Sequence, residues 1–170
     1  MTSFKIKTVE LQDMVNKVSK CVSNNKLIPI TSLINLKVNL HVFTLAATDA
    51  TNYFYVDSNT KVDSDDFEVS VVADIFTKLI QKTTSEYVTI EIEDGSVKVV
   101  GNGTYLMELP LDENGKPIKF PVKFDLNSFR TFIGTVQLST IKSILGFNKA
   151  SLATSVEQPA LTCYYCGDEV

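Results

Sequence analysis

The sequence has no long apolar run. No stretch of 18 or more apolar residues is present, so no membrane-spanning helix is expected. The N-terminal segment MTSFKIKTVELQD lacks the apolar core of a secretory signal peptide. We therefore predict a cytoplasmic protein that makes no contact with a membrane.

Residues with reactive side chains are also scarce. Three cysteines in 170 residues are an odd number and do not make a disulfide framework. Cys163 and Cys166 form a C-x-x-C, but no second such pair or histidine pair completes four zinc ligands. Both are interpreted as strand residues pointing to opposite faces, and a metal or redox site is the less favoured alternative. His41, the single histidine, has no partner constellation for nucleophilic catalysis, so we predict a non-enzyme without metal or cofactor.

The apolar pattern of the chain repeats. Alternation followed by apolar residues at helical spacing predicts a strand over 4–8 and a helix over 11–22. The same opening recurs as a strand over 67–71 and a helix over 74–84. Three predicted strands follow each helix, over 34–40, 43–47 and 52–56 in the first case and over 88–92, 97–99 and 104–109 in the second. These are two β-α-β-β-β units, and the acidic segment 57–66 between them is interpreted as a solvated loop.

A candidate domain boundary follows the second unit. Residues 110–121 contain three of the five prolines and an Asn-Gly pair, which favour a linker. We predict a first domain over 1–124 and an incomplete second domain over 125–170. The second domain would have an extended segment at 129–138, a helix at 139–150 and a strand at 160–166. Its open strand edge leads us to expect a longer protein, or a partner that completes it.

The predicted fold class is α+β. Antiparallel sheets would lie on the outside and two helices on the inner face, followed by a partial third unit.

Charge is distributed unevenly over these elements. The whole chain has a net charge of −4. The three predicted helices hold six lysines and two aspartates, a net of +4, which leaves −8 for the remainder. The lysines share one face of each helix, away from or beside the apolar stripe, and are Lys17, Lys20, Lys78, Lys82, Lys142 and Lys149.

Such segregation suits a protein whose helical surface meets phosphates. No arginine or asparagine cluster is placed to read base edges, so binding would be independent of sequence and would weaken steeply with salt. Lysines on an exposed helix also serve solubility, and for any single helix that interpretation is favoured. The same bias on three helices of an acidic chain shifts the balance toward binding the phosphates of a nucleic acid.

Several segments, taken in order, resemble one protein family. They are 18–19 (VS), 27–30 (LIPI), 45–49 (LAATD), 69–79 (VSVVADIFTKL), 97–101 (VKVVG), 109–110 with 120–121 (LP, FP), and 155–162 (SVEQPALT). On these segments the chain resembles the bacterial-type DNA sliding clamp, the beta subunit of replicative DNA polymerase, including phage-encoded versions. The resemblance covers the family's N-terminal domain and the start of its second domain.

The resemblance implies a head-to-tail homodimeric ring with three similar domains in each full-length protomer. Helices would line a hole around duplex DNA, and sheets would form the outer wall. DNA would then be held topologically, without catalysis. The implied partners are double-stranded DNA, the DNA polymerase that the ring tethers, and a clamp loader that opens the ring.

The resemblance also implies roles for individual residues. Asn25 and Lys26 would lie in a loop that touches DNA. Gln158 and Leu161 would form part of the groove that captures short peptides, with Gln158 in place of the family's usual arginine.

The interface between protomers is implied in the same way. Thr104 and Leu106 would meet the neighbouring protomer, and the threonine, in place of an aromatic residue, implies a different interface. Two alternatives remain. One is a clamp-fold protein-interaction module that does not form a ring around DNA, and the other is an unrelated soluble enzyme.

Overall fold

The computed structural model describes residues 2–23, 25, 27–121 and 135–149. The chain divides into two compact units, Met1–Val122 and Lys123–Val170, and each is described by itself. The elements of the first unit are, in order, β1 (Thr2–Lys7), α1 (Thr8–Val18), β2 (Leu33–Asn39), β3 (Val42–Thr48), β4 (Tyr53–Asp57), β5 (Phe67–Val72), α2 (Ala73–Lys82), β6 (Tyr87–Glu93), β7 (Ser96–Val100) and β8 (Thr104–Glu108). This order confirms the predicted α+β fold of two β-α-β-β-β units.

The two repeats exchange their opening strands. The sheets are antiparallel, with four strands each in the orders β1-β6-β7-β8 and β4-β3-β2-β5. Strand β1 pairs with β6 of the second repeat, with Phe4 opposite Ile90, while β5 pairs with β2 of the first, with Val71 opposite Ile34. The rings of Phe4 and Phe67 stack at 5.9 Å and bring β1 next to β5. Strands β4 and β8 therefore lie at the two outer edges.

A single apolar core lies between the helices and the inner faces of both sheets. The predicted stripe of α1 is buried there, through Leu11, Met14, Val15 and Val18. Helix α2 contributes Ala73, Phe76 and Ile80. The sequence predicts an apolar stripe of Ile75, Phe76, Leu79 and Ile80 for this helix, but Ile75 is 55% exposed because it lies at the edge of the helix beside β8.

Helix α1 begins three residues earlier than predicted and ends four earlier. Thr8 continues the alternation of β1 and so resembles a strand end. In the structure its N–H donates to the Glu86 carbonyl (3.0 Å) and its hydroxyl to the Ser85 carbonyl (2.5 Å), from the first turn of the helix. After Val18 the chain forms a 3₁₀ turn over Ser19–Cys21 and becomes extended.

Helix α2 also ends earlier than its predicted limit at residue 84. Thr83 is extended and buried, and its hydroxyl donates to the Leu79 carbonyl (2.9 Å). This threonine therefore closes the helix after Lys82.

The acidic segment after β4 is more ordered than a solvated loop. Val62 is buried in the core, and its N–H donates to the His41 carbonyl (2.9 Å). A carboxylate oxygen of Asp66 accepts the Leu40 N–H (3.0 Å). Leu40 and His41 form the β2–β3 turn at positive φ (49° and 65°), a conformation that glycine or asparagine adopts more readily. The segment thus holds this turn in place.

The segment expected to be a linker also packs against the first unit. Phe120 is buried and meets the rings of Tyr53 and Tyr55 edge-on, at 6.4 and 6.2 Å between centroids. These tyrosines alternate with Val56, which packs against the core, so they lie on the outer face of β4. Residues 110–121 therefore return to β4 after leaving β8.

The described part of the second unit is one helix, α3 (Leu138–Asn148). It was predicted over 139–150. Gln137 is extended (φ −66°, ψ 137°) and Leu138 begins the helix, so the extended segment predicted over 129–138 is wrong at Leu138. Residues 129–134 and the strand predicted over 160–166 lie outside the described residues.

Candidate nucleic-acid interface

Helices α1 and α2 lie side by side, joined by polar side chains. The Nε2 of Gln12, on α1, donates to the carbonyls of Ile80 (3.0 Å) and Thr83 (2.9 Å) at the end of α2. Carbonyls in the last turn of a helix have no partner within that helix, so Gln12 satisfies part of this end. The two helices form one surface opposite the core, which we call the helix face (8–21 and 73–82).

Four of the lysines predicted to meet DNA are exposed on the helix face. Lys17 and Lys20 come from α1 and the 3₁₀ turn after it, while Lys78 and Lys82 come from α2. Their exposure follows from helical spacing, because the buried stripe occupies the opposite side of each helix. The structure therefore places these lysines on one surface.

Two of these lysines already have partners. The Nζ of Lys17 is 2.6 Å from the Asp13 carboxylate, and the Nζ of Lys78 is 2.8 Å from the Asp74 carboxylate. Both are pairs four residues apart on one helix. Within the described ranges, neither Lys20 nor Lys82 has a carboxylate within 4.0 Å.

The observed helix bounds reduce the expected positive surplus. For these two helices alone the sequence-based count gives four lysines and two aspartates, a net of +2. The observed helix face adds the carboxylate of Glu10 to those of Asp13 and Asp74, so its net charge is +1. The sequence-based count left out Glu10 because the helix was predicted to begin later. The carboxylate of Glu10 also bonds outside the helix face: it accepts the backbone N–H groups of Asn59 (2.7 Å) and Thr60 (3.2 Å) in the loop after β4.

The loop after α1 is described only in part. Asn25 is exposed, and its side-chain oxygen accepts the N–H of Leu27 (3.0 Å). Leu27 is 91% exposed, the highest value for a large apolar side chain among the described residues. Lys26 lies outside the described residues.

Cys21 packs at the base of the same loop. Its Sγ is 3.5 Å from the Asn52 carbonyl, and burial raises the pKa of its thiol. A thiol held protonated is a poor nucleophile and a poor metal ligand. The structure thus gives Cys21 a packing role, as expected for an apolar helix position.

A groove of about 510 Å³ lies between α2 and the outer strand β8. Its lining includes Ile75, Tyr105 and Leu106, whose exposed fractions are 55%, 46% and 63%. Thr104 and Leu106, the residues implied at a protomer interface, belong to this lining. Ile75 and Tyr105 were missed from the sequence, because only the packing of β8 beside α2 shows that they are neighbours.

Residues 102–104 (NGT) fit the sequence pattern of a glycosylation site, but their place in a hairpin turn explains them. The side-chain oxygen of Asn102 accepts the N–H groups of Thr84 (2.9 Å) and Ser85 (2.9 Å), just after α2. The β7–β8 turn is thereby fastened to the end of the helix.

The described residues contain neither a metal-ligand cluster nor a membrane-spanning helix. No group of three or more potential ligands comes together in these ranges. None of the described helices has the length and apolar character needed to cross a bilayer. His41 is exposed, and its Nδ1 is 3.2 Å from the Val62 carbonyl.

Other predicted site residues lie in or beyond the second unit. Lys142 is exposed on α3, and Lys149 follows that helix. Gln158, Leu161, Cys163 and Cys166 are outside the described residues.

The sequence profile of the family described as "DNA polymerase III beta subunit, N-terminal domain" matches residues 2–116. The chain belongs to this family. No curated protein is significantly similar to the sequence. In this beta-subunit domain the matched region contains both repeats, with the helix face and the groove beside β8.

Solved sliding clamps share the fold of the beta-subunit domain. A DNA polymerase sliding clamp from Caulobacter crescentus matches with a TM-score of 0.72 and 15% identity, over 95% of this chain and 42% of that chain. A DnaN sliding clamp from Pseudomonas aeruginosa, solved bound to griselimycin, gives 0.71 and 15%, over 94% and 42%. The DNA polymerase III beta subunit of Thermotoga maritima gives 0.60 and 20%, over 72% and 34%. The chain thus spans less than half the length of these clamps.

Proposed function

We propose that this beta-subunit domain is part of a DNA polymerase processivity factor, a sliding clamp that encircles duplex DNA. It would bind DNA without regard to sequence and without catalysis. The family match over residues 2–116 carries the proposal. Its partners would be double-stranded DNA, a DNA polymerase and the clamp loader, and its location would be cytoplasmic.

Contact with DNA would be made through phosphates. Lysines on the helix face offer mobile point charges, which suit binding that must tolerate movement along the duplex. Lys20 and Lys82 are the readiest to take part because no carboxylate within the described residues holds them. Asn25 and Lys26, in the loop that follows Lys20, would extend this contact.

Lys142 and Lys149 would add DNA contacts from the second unit. Gln158 and Leu161 would contribute to the peptide groove that recognises polymerase and loader. These four assignments rest on the resemblance to the clamp family.

The groove beside β8 is proposed as the interface between protomers. Leu106 and Ile75 expose apolar surface there, and β8 has one sheet partner, β7, among the described strands. An edge strand with an adjacent apolar groove is a natural place for another subunit to join. A head-to-tail contact of this kind closes into a ring when the rotation between subunits allows it.

The DNA-binding part of the proposal is tested by fluorescence anisotropy with a short linear duplex at several salt concentrations. The double variant Lys20→Gln/Lys82→Gln should weaken binding at low salt and make its salt dependence shallower, by about 0.9 in log–log slope for each phosphate that is no longer neutralised. The matched control is Lys7→Gln/Lys116→Gln, which removes the same charge from exposed sites off the helix face.

An equal loss of affinity in the control would show that only net charge matters. A stable monomer without affinity for DNA at low salt would favour the alternative, a clamp-fold protein-interaction module.

The interface is tested with Leu106→Asp in a full-length ring-forming protomer. The variant should lower the mass measured by sedimentation velocity and leave the melting temperature of the domain unchanged, because Leu106 is already 63% exposed. A ring that stays intact would exclude β8 as the joining edge.

A further inference from the structure

The helix face contains carboxylates positioned to compete with DNA for its lysines. Asp13 lies 2.6 Å from Lys17, and Asp74 lies 2.8 Å from Lys78. In each pair the carboxylate is four residues N-terminal to the lysine, the orientation that favours pairing on a helix. Each of the two helices therefore has one self-neutralised lysine.

Both pairs are open to water. The side chains of Asp13 and Lys17 are 57% and 52% exposed, and those of Asp74 and Lys78 are 68% and 66% exposed. Exposed ion pairs add little to stability and are screened by salt. Their main consequence is electrostatic, because each carboxylate reduces the positive potential that a nearby phosphate experiences.

We propose that Asp13 and Asp74 lower the affinity of this domain for DNA by forming ion pairs with Lys17 and Lys78 in the free protein. This inference rests on the proposed function. A phosphate that binds Lys17 must displace a carboxylate, so the exchange releases few counterions and gains little affinity. The free lysines, Lys20 and Lys82, then provide most of the attraction, which keeps the contacts weak enough for the duplex to move.

The test is a mutant cycle on the 170-residue chain, read by anisotropy with a labelled short duplex over a range of salt concentrations. Asp13→Asn/Asp74→Asn should tighten binding and steepen the log–log slope from about −1.8 to about −3.6, as the neutralised phosphates increase from two to four. Lys17→Gln/Lys78→Gln in the wild-type background leaves Asp13 and Asp74 without a compensating charge and should weaken binding. In the Asp13→Asn/Asp74→Asn background the same lysine change should cancel the increase in affinity and return the slope to about −1.8, because only two phosphates are then neutralised.

The matched control is Asp94→Asn/Glu108→Gln, which removes two exposed carboxylates off the helix face. It should tighten binding much less than Asp13→Asn/Asp74→Asn does. Equal tightening would overturn the inference, since any loss of negative charge would then suffice. A slope that stays at about −3.6 when Lys17 and Lys78 are also replaced by Gln would overturn it too, because Asp13 and Asp74 would not be acting through the two lysines.

The outcomes separate this inference from the proposed function. If the wild type binds DNA and Asp13→Asn/Asp74→Asn has the same slope, the role of the carboxylates is refuted and the proposed function is not. No binding by the wild type or by that variant at low salt refutes both. Circular dichroism of each variant confirms that the domain is folded, so that an absent signal reports binding.

Discussion

Asn16 and Gln81 occupy the same position in the two repeats and bond to each other across the helix pair. Each is the ninth residue of its helix, counted from Thr8 in α1 and from Ala73 in α2. The Nε2 of Gln81 donates to the Asn16 side-chain oxygen at 3.0 Å. Contact between equivalent positions is expected near the axis that relates two copies of a motif.

This pair should matter less than the nearby Gln12. Asn16→Ala or Gln81→Ala should lower the free energy of unfolding by about 0.5–1 kcal/mol, because both side chains are exposed. The double variant should lose little more than either single one. Gln12→Ala should lose about 1–3 kcal/mol, because it leaves the Thr83 carbonyl without this donor, while the Ile80 carbonyl keeps the Thr83 N–H (3.1 Å). Urea denaturation measures all four, and equal losses for Gln12 and Asn16 would contradict the assignment.

Gly101 lies too close to the end of α2 to accept a side chain. A Cβ at this position would be 2.9 Å from the Thr83 Cγ2 and 3.3 Å from the Ser85 hydroxyl oxygen. Thr83 is buried and hydrogen-bonded to Leu79, so it has little room to move. Gly101→Ala should therefore lower the free energy of unfolding by about 1–3 kcal/mol, as overpacking does.

Two further variants test this steric explanation by thermal denaturation. Thr83→Ser in the Gly101→Ala background should recover part of the stability, because it removes the Cγ2. Gly103→Ala is the matched control and should destabilise less, since the atoms nearest to its Cβ would belong to the Tyr105 side chain, at 3.6 Å, an ordinary contact distance. A destabilisation that Thr83→Ser does not relieve would point to backbone strain.

Asn102 should be required for stability through its acceptor oxygen. Asn102→Ala leaves the N–H groups of Thr84 and Ser85 without their partner and should cost about 1–2 kcal/mol. Asn102→Asp keeps an acceptor and loses only the weaker donation to the Lys82 carbonyl (3.3 Å), so it should retain most of the stability. Equal losses in chemical denaturation would show that the acceptor is unimportant.

Asp49 should make part of the stability depend on pH. Hydrogen bonds from Asn52, and from the Thr51 N–H, hold the pKa of the Asp49 carboxyl below its ordinary value of 3.8. Because the pKa is lowered by folding, this contribution is complete above pH 3.8 and is lost as the pH falls through the folded-state value. Asp49→Ala should therefore melt below the wild type at neutral pH, and the difference should shrink in acid.

The donor side chain provides the control for that pH effect. Asn52→Ala removes the side-chain bond to Asp49 (3.0 Å) and should weaken the same pH dependence. A gap between wild type and Asp49→Ala that stays constant from neutral pH to below pH 3.8 would contradict the explanation.

The regular elements could be predicted because their periodicity is local. The alternation of Ile34, Leu36 and Val38 and the helical spacing of Leu11, Met14 and Val15 determine which face is buried. Alternation carries no information about strand neighbours, so the exchange of β1 and β5 could not be predicted. The start of α1 was missed because Thr8 is buried like a strand residue and at the same time begins the helix.

The sequence predicted one part of the candidate site, the helix lysines, and missed another, the groove beside β8. The exposure of the helix lysines follows from their spacing. The ion pairs of Lys17 with Asp13 and of Lys78 with Asp74 could also have been predicted, because each aspartate is four residues before its lysine. The groove at Ile75 and Tyr105 depends on a strand that joins its sheet about thirty residues after the helix begins. No local pattern reports such a contact.

The exchange of β1 and β5 has a consequence for how the first unit holds together. Each repeat contributes its opening strand to the sheet of the other repeat, so separating the repeats would remove β1 from one sheet and β5 from the other at the same time. The unit therefore resembles a strand-exchanged dimer whose two subunits are joined into one polypeptide by residues 58–66. Proteolytic cleavage within residues 58–66 should leave the two fragments associated until the whole unit unfolds.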